Sequence, residues 1–287
     1  MIHIDLDKIK SNKPIKELLN FSLINVDKPA GPTSFSVSNF ICKSLNLNKT
    51  SHMGTLDPQV TGVLPITLGR ACRLAEYFMH RDKTYVGIMR LHEDIPTAKL
   101  KKLMKSFEKE ITQTPPLRSR VKRAPRQRKI YSFKLLEKQG KDILFEAEVQ
   151  AGTYIRTLCV DLGEKIGGAH MLELRRTKAG IFTEENLVNL YDFEKAVEEH
   201  KKGDESFLRS VLIPAEILST VLPVIQVKES SVKQLLTGKP IHKSDISFPA
   251  EFKIGEKILA FHSQTFIEAA SIINQGDIIA KPEFVFN

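Results

Sequence analysis

The stretch SHMGTLDPQVTG, residues 51–62, sets one carboxylate, Asp57, in a loop with two glycines, a histidine and several small hydroxyl side chains. An aspartate ahead of proline is ordinarily a turn former, its oxygens accepting from nearby backbone amides. Here Gly54 and Gly62 allow close backbone approach, and Thr55 and Thr61 add hydroxyls without bulk, so the acid could meet a bound backbone. Burial alone would raise its pKa and neutralise it, whereas a two-pronged arginine pair would keep it ionised. Arg156 in GTYIRT could supply that pair, although an arginine at a helix start ordinarily faces water and sequence distance does not join the two. Tyr85 in KTYVG is either a core tyrosine or an aromatic plate for a base taken out of its stack. Lys28 in NVDKPAG could end a strand or position the Asp57 loop. His52 has no second His, Cys or carboxylate at ligand spacing, so no metal site is expected; it could meet nucleic acid or bridge the loop backbone.

Other templates are missing. The chain has no G-x-x-x-x-G-K-[ST], no G-x-G-x-x-G after a strand, no H-E-x-x-H and no G-x-S-x-G. No nucleotide cofactor or metal is therefore expected, which leaves a carboxylate, an arginine, a tyrosine and a basic surface.

The elements that must hold these residues read as mixed strands and helices. Residues 1–21 are lysine-rich and weakly patterned, an N-terminal extension. FSLINVDKPAGPTS runs from a strand into a turn, and a helix with Val37, Phe40, Ile41 and Leu45 on one face follows, capped by Thr33 or Ser34. KTYVGIMRL is a strand, and residues 98–111 read as an amphipathic helix through Leu100, Leu103, Met104, Phe107 and Ile111. DILFEAEVQ alternates as a half-buried strand, and AGTYIRTLCVDLGEKIGGAH enters a helix with Ile155, Leu158, Cys159, Leu162 and Ile166 inward. This order implies an α+β domain ending near residue 205. From residue 221 short strands separated by glycines imply a small β-barrel of about 65 residues.

The charge balance favours a polyanionic partner, or is that of a lysine-rich chain that binds none. Lys and Arg number 43 against 34 Asp and Glu, a formal net charge of +9 over 287 residues. From Ile111 to Leu136 there is no acid, and PPLRSRVKRAPRQRKIY gathers Arg118, Arg120, Lys122, Arg123, Arg126, Arg128 and Lys129. Three prolines make that run a loop or sheet edge. Cys42, Cys72 and Cys159 are scattered and read as small buried hydrophobes, and no run is apolar enough to span a membrane. A soluble, intracellular, cytoplasmic protein is expected.

Taken together, INVDKPAGPTS, HMGTLDPQVTGVLPITLGRACRL, KTYVG, AGTYIRTLCVDLGEKIGGAH and LELRRTKAGIF resemble the TruB family of pseudouridine synthases, over residues 22–185. PPLRSRVKRAPRQRKIY, LHEDIP and GAHMLELRRT are similar to its archaeal and eukaryotic, dyskerin-like branch. The resemblance implies a pseudouridine synthase catalytic domain over 22–205, with a mixed, mainly antiparallel sheet, and an RNA-binding PUA β-barrel over 221–287. Members of that branch often continue further, so the short barrel is a departure. It implies Asp57 as the catalytic acid, Tyr85 as the active-site tyrosine and Arg156 as the partner of the aspartate. Lys28 would support the loop, His52 would lie near a flipped nucleotide, Leu174 would line an apolar pocket, and Arg118, Arg120, Lys122 and Arg123 would contact RNA. The implied reaction isomerises uridine to pseudouridine without a cofactor. Its targets would be uracil-55 in the TΨC loop of tRNA, or guide-directed sites in rRNA with an H/ACA guide RNA and small H/ACA proteins. A non-catalytic RNA-binding or assembly subunit keeping the fold is the alternative.

Overall fold

A computed structural model describes residues 3–115, 122–248 and 251–287. Residues 3–21, in the lysine-rich N-terminal segment, carry local helical structure. They form α1 (Leu6–Asn12), capped by the Asp5 side chain, and α2 (Ile15–Asn20), and bury Ile9, Leu18 and Phe21. Arg209 ties them down by donating to the carbonyls of Lys10 (2.6 Å) and Lys13 (2.8 Å), and Lys13 pairs with buried Glu216. The lysines had hidden two apolar anchors in short helices.

β1 (Ser22–Lys28), α3 (Ser34–Ser44), β2 (Thr50–His52), β3 (Thr61–Leu68), α4 (Ala75–Met79), β4 (Lys83–Leu91), α5 (Thr97–Ser106) and β5 (Glu110–Gln113) follow. Then come β6 (Arg126–Gln139), β7 (Asp142–Val149), α6 (Ile155–Gly163), β8 (Ala169–Ala179), β9 (Phe182–Thr183), α7 (Leu190–Lys201), α8 (Ser206–Val211) and β10 (Ile213–Pro214). The first sheet runs β10-β1-β3-β8-β4-β7-β6-β5, with β2 on β3 and β9 on β8. β3 and β8 pair in parallel and the other strands of this sheet pair antiparallel, a mixed sheet as expected. The helix expected over 98–111 stops at Ser106: Ile111 lies in β5, where backbone pairing with Arg128 of β6 overrides the helical spacing.

Burial follows the periods in the sequence. In β7 Ile143, Phe145, Ala147 and Val149 face the core and alternate with half-exposed neighbours. In α6 Ile155, Leu158, Cys159 and Leu162 face the same core, each large apolar side chain contributing roughly 1.5–3 kcal/mol on burial. Cys159 is buried as expected, but Cys42 and Cys72 are only half-buried; all three are free.

One row of backbone pairs crosses the sheet at the end that carries the Asp57 loop. Lys28 pairs with Gly62, Gly62 with Arg176, Arg176 with Tyr85, Tyr85 with Ala147, and Ala147 with Phe133. Strand register thus brings residues 28, 62, 85 and 176 into line.

The C-terminal unit contains β11 (Val224–Gln226), α9 (Glu229–Leu235), β12 (Ile241–His242), β13 (Lys257–His262), β14 (Thr265–Gln275) and β15 (Ile278–Val285). Its sheet runs β11-β13-β14-β15-β12, and an antiparallel bridge between Val227 and Ile246 joins the two ends. The unit shares a core with the rest of the chain. Phe21 packs on Phe266 (5.3 Å between centroids), Phe284 and Phe286, in a cluster that includes Leu23, Val63 and Phe182.

Candidate active site

The loop between β2 and β3 is laced to the turn after β1 on both sides of Asp57. Lys28 ends β1 fully buried, and its Nζ donates to the carbonyls of Pro29 (2.8 Å), Pro58 (2.9 Å) and Val60 (2.9 Å). Burial holds its pKa below the usual lysine range. The Gly31 amide donates to the Pro58 carbonyl at 2.9 Å. Buried Ser34 accepts from the Leu56 amide (2.8 Å) and donates to the Leu56 carbonyl (3.0 Å). With Leu56 and Pro58 both anchored, the backbone of Asp57 has little freedom, and its side chain remains 54% exposed.

A second set of bonds holds the loop from below. Arg176, only 1% exposed, donates from Nε to the Val63 carbonyl (2.8 Å) and from Nη2 to the Gly54 carbonyl (3.0 Å). Gly62 has φ +99°, and a Cβ there would sit 2.2 Å from the Arg176 carbonyl oxygen, so only glycine fits. Lys83 is also buried and donates to the carbonyls of Met79 and Arg81; burial, then the Arg176 charge, push its pKa down to about 8. His52 is half-buried, with Nε2 and the Thr55 hydroxyl 3.1 Å apart. Burial and then Arg176 hold its pKa below the ordinary histidine value, which favours a neutral ring at pH 7.

Arg156 reaches Asp57 from the first turn of α6, donating from Nη2 to Oδ2. The start of that helix is fixed by Gln113, 3% exposed at the end of β5. Its amide donates to the Tyr154 carbonyl (3.1 Å) and its oxygen accepts from the Tyr154 amide (2.9 Å). Arg156 and Asp57 are each about half exposed, so their pair adds only about 0–1 kcal/mol to stability. Its consequence is orientation: an anionic oxygen is held at a solvent-facing position beside a cation.

Tyr85 is half-buried and packs against the main core, in register with Arg176. Leu174, 8% exposed, pairs with Gly87; its Cδ1 fills the space a Cβ on Gly87 would take, 2.8 Å away. Lys122 and Arg123 are exposed just ahead of β6, and Arg118 and Arg120 lie outside the described residues. Strand register thus aligns Tyr85 with Lys28, which anchors the loop whose Asp57 meets Arg156, while Leu174 sits in the adjoining core. From the sequence Ser34 is only a candidate helix cap, a place the structure gives to Thr33, and Lys83 and Arg176 are only members of KTYVG and LELRRT; Gln113 carries no signal there.

Residues 43–155 match the family described as TruB family pseudouridylate synthase (N terminal domain), and residues 156–219 match the tRNA pseudouridylate synthase B C-terminal domain. The probable tRNA pseudouridine synthase B of Methanopyrus kandleri is 47% identical over 228 residues, 79% of this chain and 68% of that protein. Its counterpart in Thermococcus onnurineus is 43% identical over 249 residues, 86% of this chain and 73% of that protein. Among solved structures the chain is similar to one described as a Cbf5-Nop10-Gar1 complex, with TM-score 0.88 and 39% identity over 97% of this chain and 88% of that one. It is also similar to an H/ACA RNP bound to a substrate RNA containing 2'-deoxyuridine, with TM-score 0.87 and 36% identity over 97% of this chain and 89% of that one.

Proposed function

This chain belongs to the TruB family of pseudouridine synthases, and from that premise we propose that it isomerises uridine in RNA with Asp57 as the reacting acid. In the reaction the C1′–N1 bond of uridine breaks, the uracil turns, C1′ joins C5, the C5 proton leaves and N1 takes up a proton. Atoms and charge balance without redox or external energy. Asp57 starts it as a nucleophile toward C1′ or as a base at the ribose C2′. The observation that carries this reading is the Arg156–Asp57 ion pair on a loop otherwise held by buried Lys28, Ser34 and Arg176. As substrate displaces water, the falling dielectric strengthens that pair and keeps the acid ionised. Tyr85 provides the face for the flipped uracil, Leu174 supports it from the core, and His52 adjoins the nucleotide.

The RNA is read as tRNA at uracil-55 of the TΨC loop, in line with the relatives described as tRNA pseudouridine synthase B. Guide-directed sites in rRNA, with an H/ACA guide and small partner proteins, follow from the likeness to the Cbf5-Nop10-Gar1 and H/ACA RNP structures. The catalytic domain is assigned to residues 22–205, and residues 221–287, as a PUA-like unit, are assigned RNA anchoring. The reading assigns the chain to the cytoplasm, where an RNA-modifying enzyme meets its RNA. Among the described residues no helix is long and apolar enough to cross a membrane.

Tritium release from C5-labelled uridine tests this, on unmodified tRNA and on an H/ACA guide with its target and partner proteins. The chain should release tritium on at least one of them. Asp57→Asn should release none while binding RNA with nearly unchanged affinity; appreciable turnover by that variant would overturn the assignment of Asp57.

A further inference from the structure

Phe35 is an exposed aromatic side chain close in the fold to the Asp57 loop. It is 67% exposed, on the first turn of α3. That turn is rigid: Thr33 caps the helix by accepting from the Ser36 amide at 3.0 Å, and the Thr33 and Ser36 hydroxyls lie 2.7 Å apart. The residue before Phe35 is Ser34, which exchanges two hydrogen bonds with Leu56, the residue before Asp57. From one buried, reciprocally bonded pair the chain therefore steps on both sides to an exposed residue, a phenyl ring on one segment and the carboxylate on the other. The core gains nothing from a ring so exposed, and its face is open to a partner from outside.

We propose that Phe35 is a stacking surface for an unpaired base of the substrate RNA beside the target uridine. This rests on the uridine-isomerising reading of the Asp57 site. Taking a nucleotide out of its stack leaves its neighbours with uncovered faces, and an aromatic ring recovers that stacking for any base. A phosphate-lined strand suits the rim, because the chain carries a net charge of +9 and Arg156 stands exposed beside Asp57. Phe35 is thus a positioning residue: it registers the strand and does not touch the reacting atoms.

The chain contains no tryptophan, so F35W introduces a single tryptophan, excited apart from the five tyrosines, at this point. Titrating F35W with unmodified tRNA, and with an H/ACA guide–target RNA in the presence of its partner proteins, should quench its emission saturably with at least one of them. Phe35→Ala should raise KM for that RNA by about tenfold. Its kcat should stay within about twofold of the parent, and Phe35→Tyr should restore the parent KM, since the phenol still stacks. A KM for Phe35→Ala matching the parent, or F35W emission unmoved by saturating RNA, overturns the proposal. A response to the partner proteins without RNA also overturns it, since the ring would then be a protein contact. If the parent chain releases no tritium from any RNA, the isomerase reading fails separately, and the F35W titration alone decides whether RNA covers Phe35.

Discussion

Arg176 donates from Nη2 to the carbonyl of Gly54 at 3.0 Å, and its own backbone pairs with Gly62 on one side and Tyr85 on the other. One buried side chain therefore sets the height of the Asp57 loop over the strand that carries the tyrosine.

Arg176→Met leaves the carbonyls of Val63 and Gly54 without their donor in a buried setting. Hydrogen bonds to a charged group contribute about 1.5–3 kcal/mol each, so losing both should cost roughly 3–6 kcal/mol of stability. Arg176→Lys keeps the charge but lacks the planar fork needed to reach both carbonyls, and should fall in between. Urea midpoints of the three proteins check the order. Single-turnover rates should fall in the same order, because the loop loses its support from below.

Much of the frame was legible because each strand and helix carries its period openly. Phe145, Ala147 and Val149 alternate in β7, and Ile155, Leu158 and Leu162 mark the inward face of α6. GTLDP and GTYIR singled out Asp57 and Arg156, but nothing in the sequence says that two residues 99 positions apart meet. Their meeting depends on β5, whose Gln113 clamps the start of α6, and β5 had been absorbed into a helix at Ile111. Gln113 and Ser34 are ordinary polar residues in sequence, and their roles arise only from which backbone groups the fold sets opposite them. The two N-terminal helices were missed because Ile9 and Leu18 are single buried positions among lysines, too sparse to show a period.

Gly62 and Gly31 separate steric from conformational demand at the same loop. Both have positive φ, +99° and +108°. A Cβ on Gly62 collides with backbone, whereas a Cβ on Gly31 meets nothing within 4 Å among the described residues. Gly31→Ala should therefore cost only the left-handed strain, about 1–2 kcal/mol. Gly62→Ala must also push β8 away from β3, and should cost more than roughly 3 kcal/mol. Thermal midpoints measured side by side would contradict this if the two variants fell together.

Lys122, Arg123 and Lys129 are exposed on and ahead of β6, where charge removal costs the fold little. Replacing all three by serine should weaken RNA binding. It should also make the slope of log K against log salt shallower by about 2, if each neutralises one phosphate at roughly 0.7 per contact. An unchanged slope, read from filter binding between low and moderate salt, would remove this strand from the RNA path.

Glu268 of β14 is fully buried, and among the described residues neither of its carboxylate oxygens has a hydrogen-bond partner. Burial, and then the charge of Asp245, raise its pKa to about 8 from an ordinary 4.5. The folded chain thus holds a proton that the unfolded chain releases near pH 4.5. The contribution of this group is greatest below pH 4.5 and falls as pH climbs through about 8, by on the order of a few kcal/mol in total. Above that range both states are ionised and the slope vanishes. Glu268→Gln keeps the shape and cannot ionise, so its stability should exceed the parent's by a margin that grows from pH 5 to pH 8 and then levels off. Urea unfolding of both proteins at intervals across this range measures the margin directly, and a difference that stays constant with pH would show that Glu268 is already ionised in the folded chain.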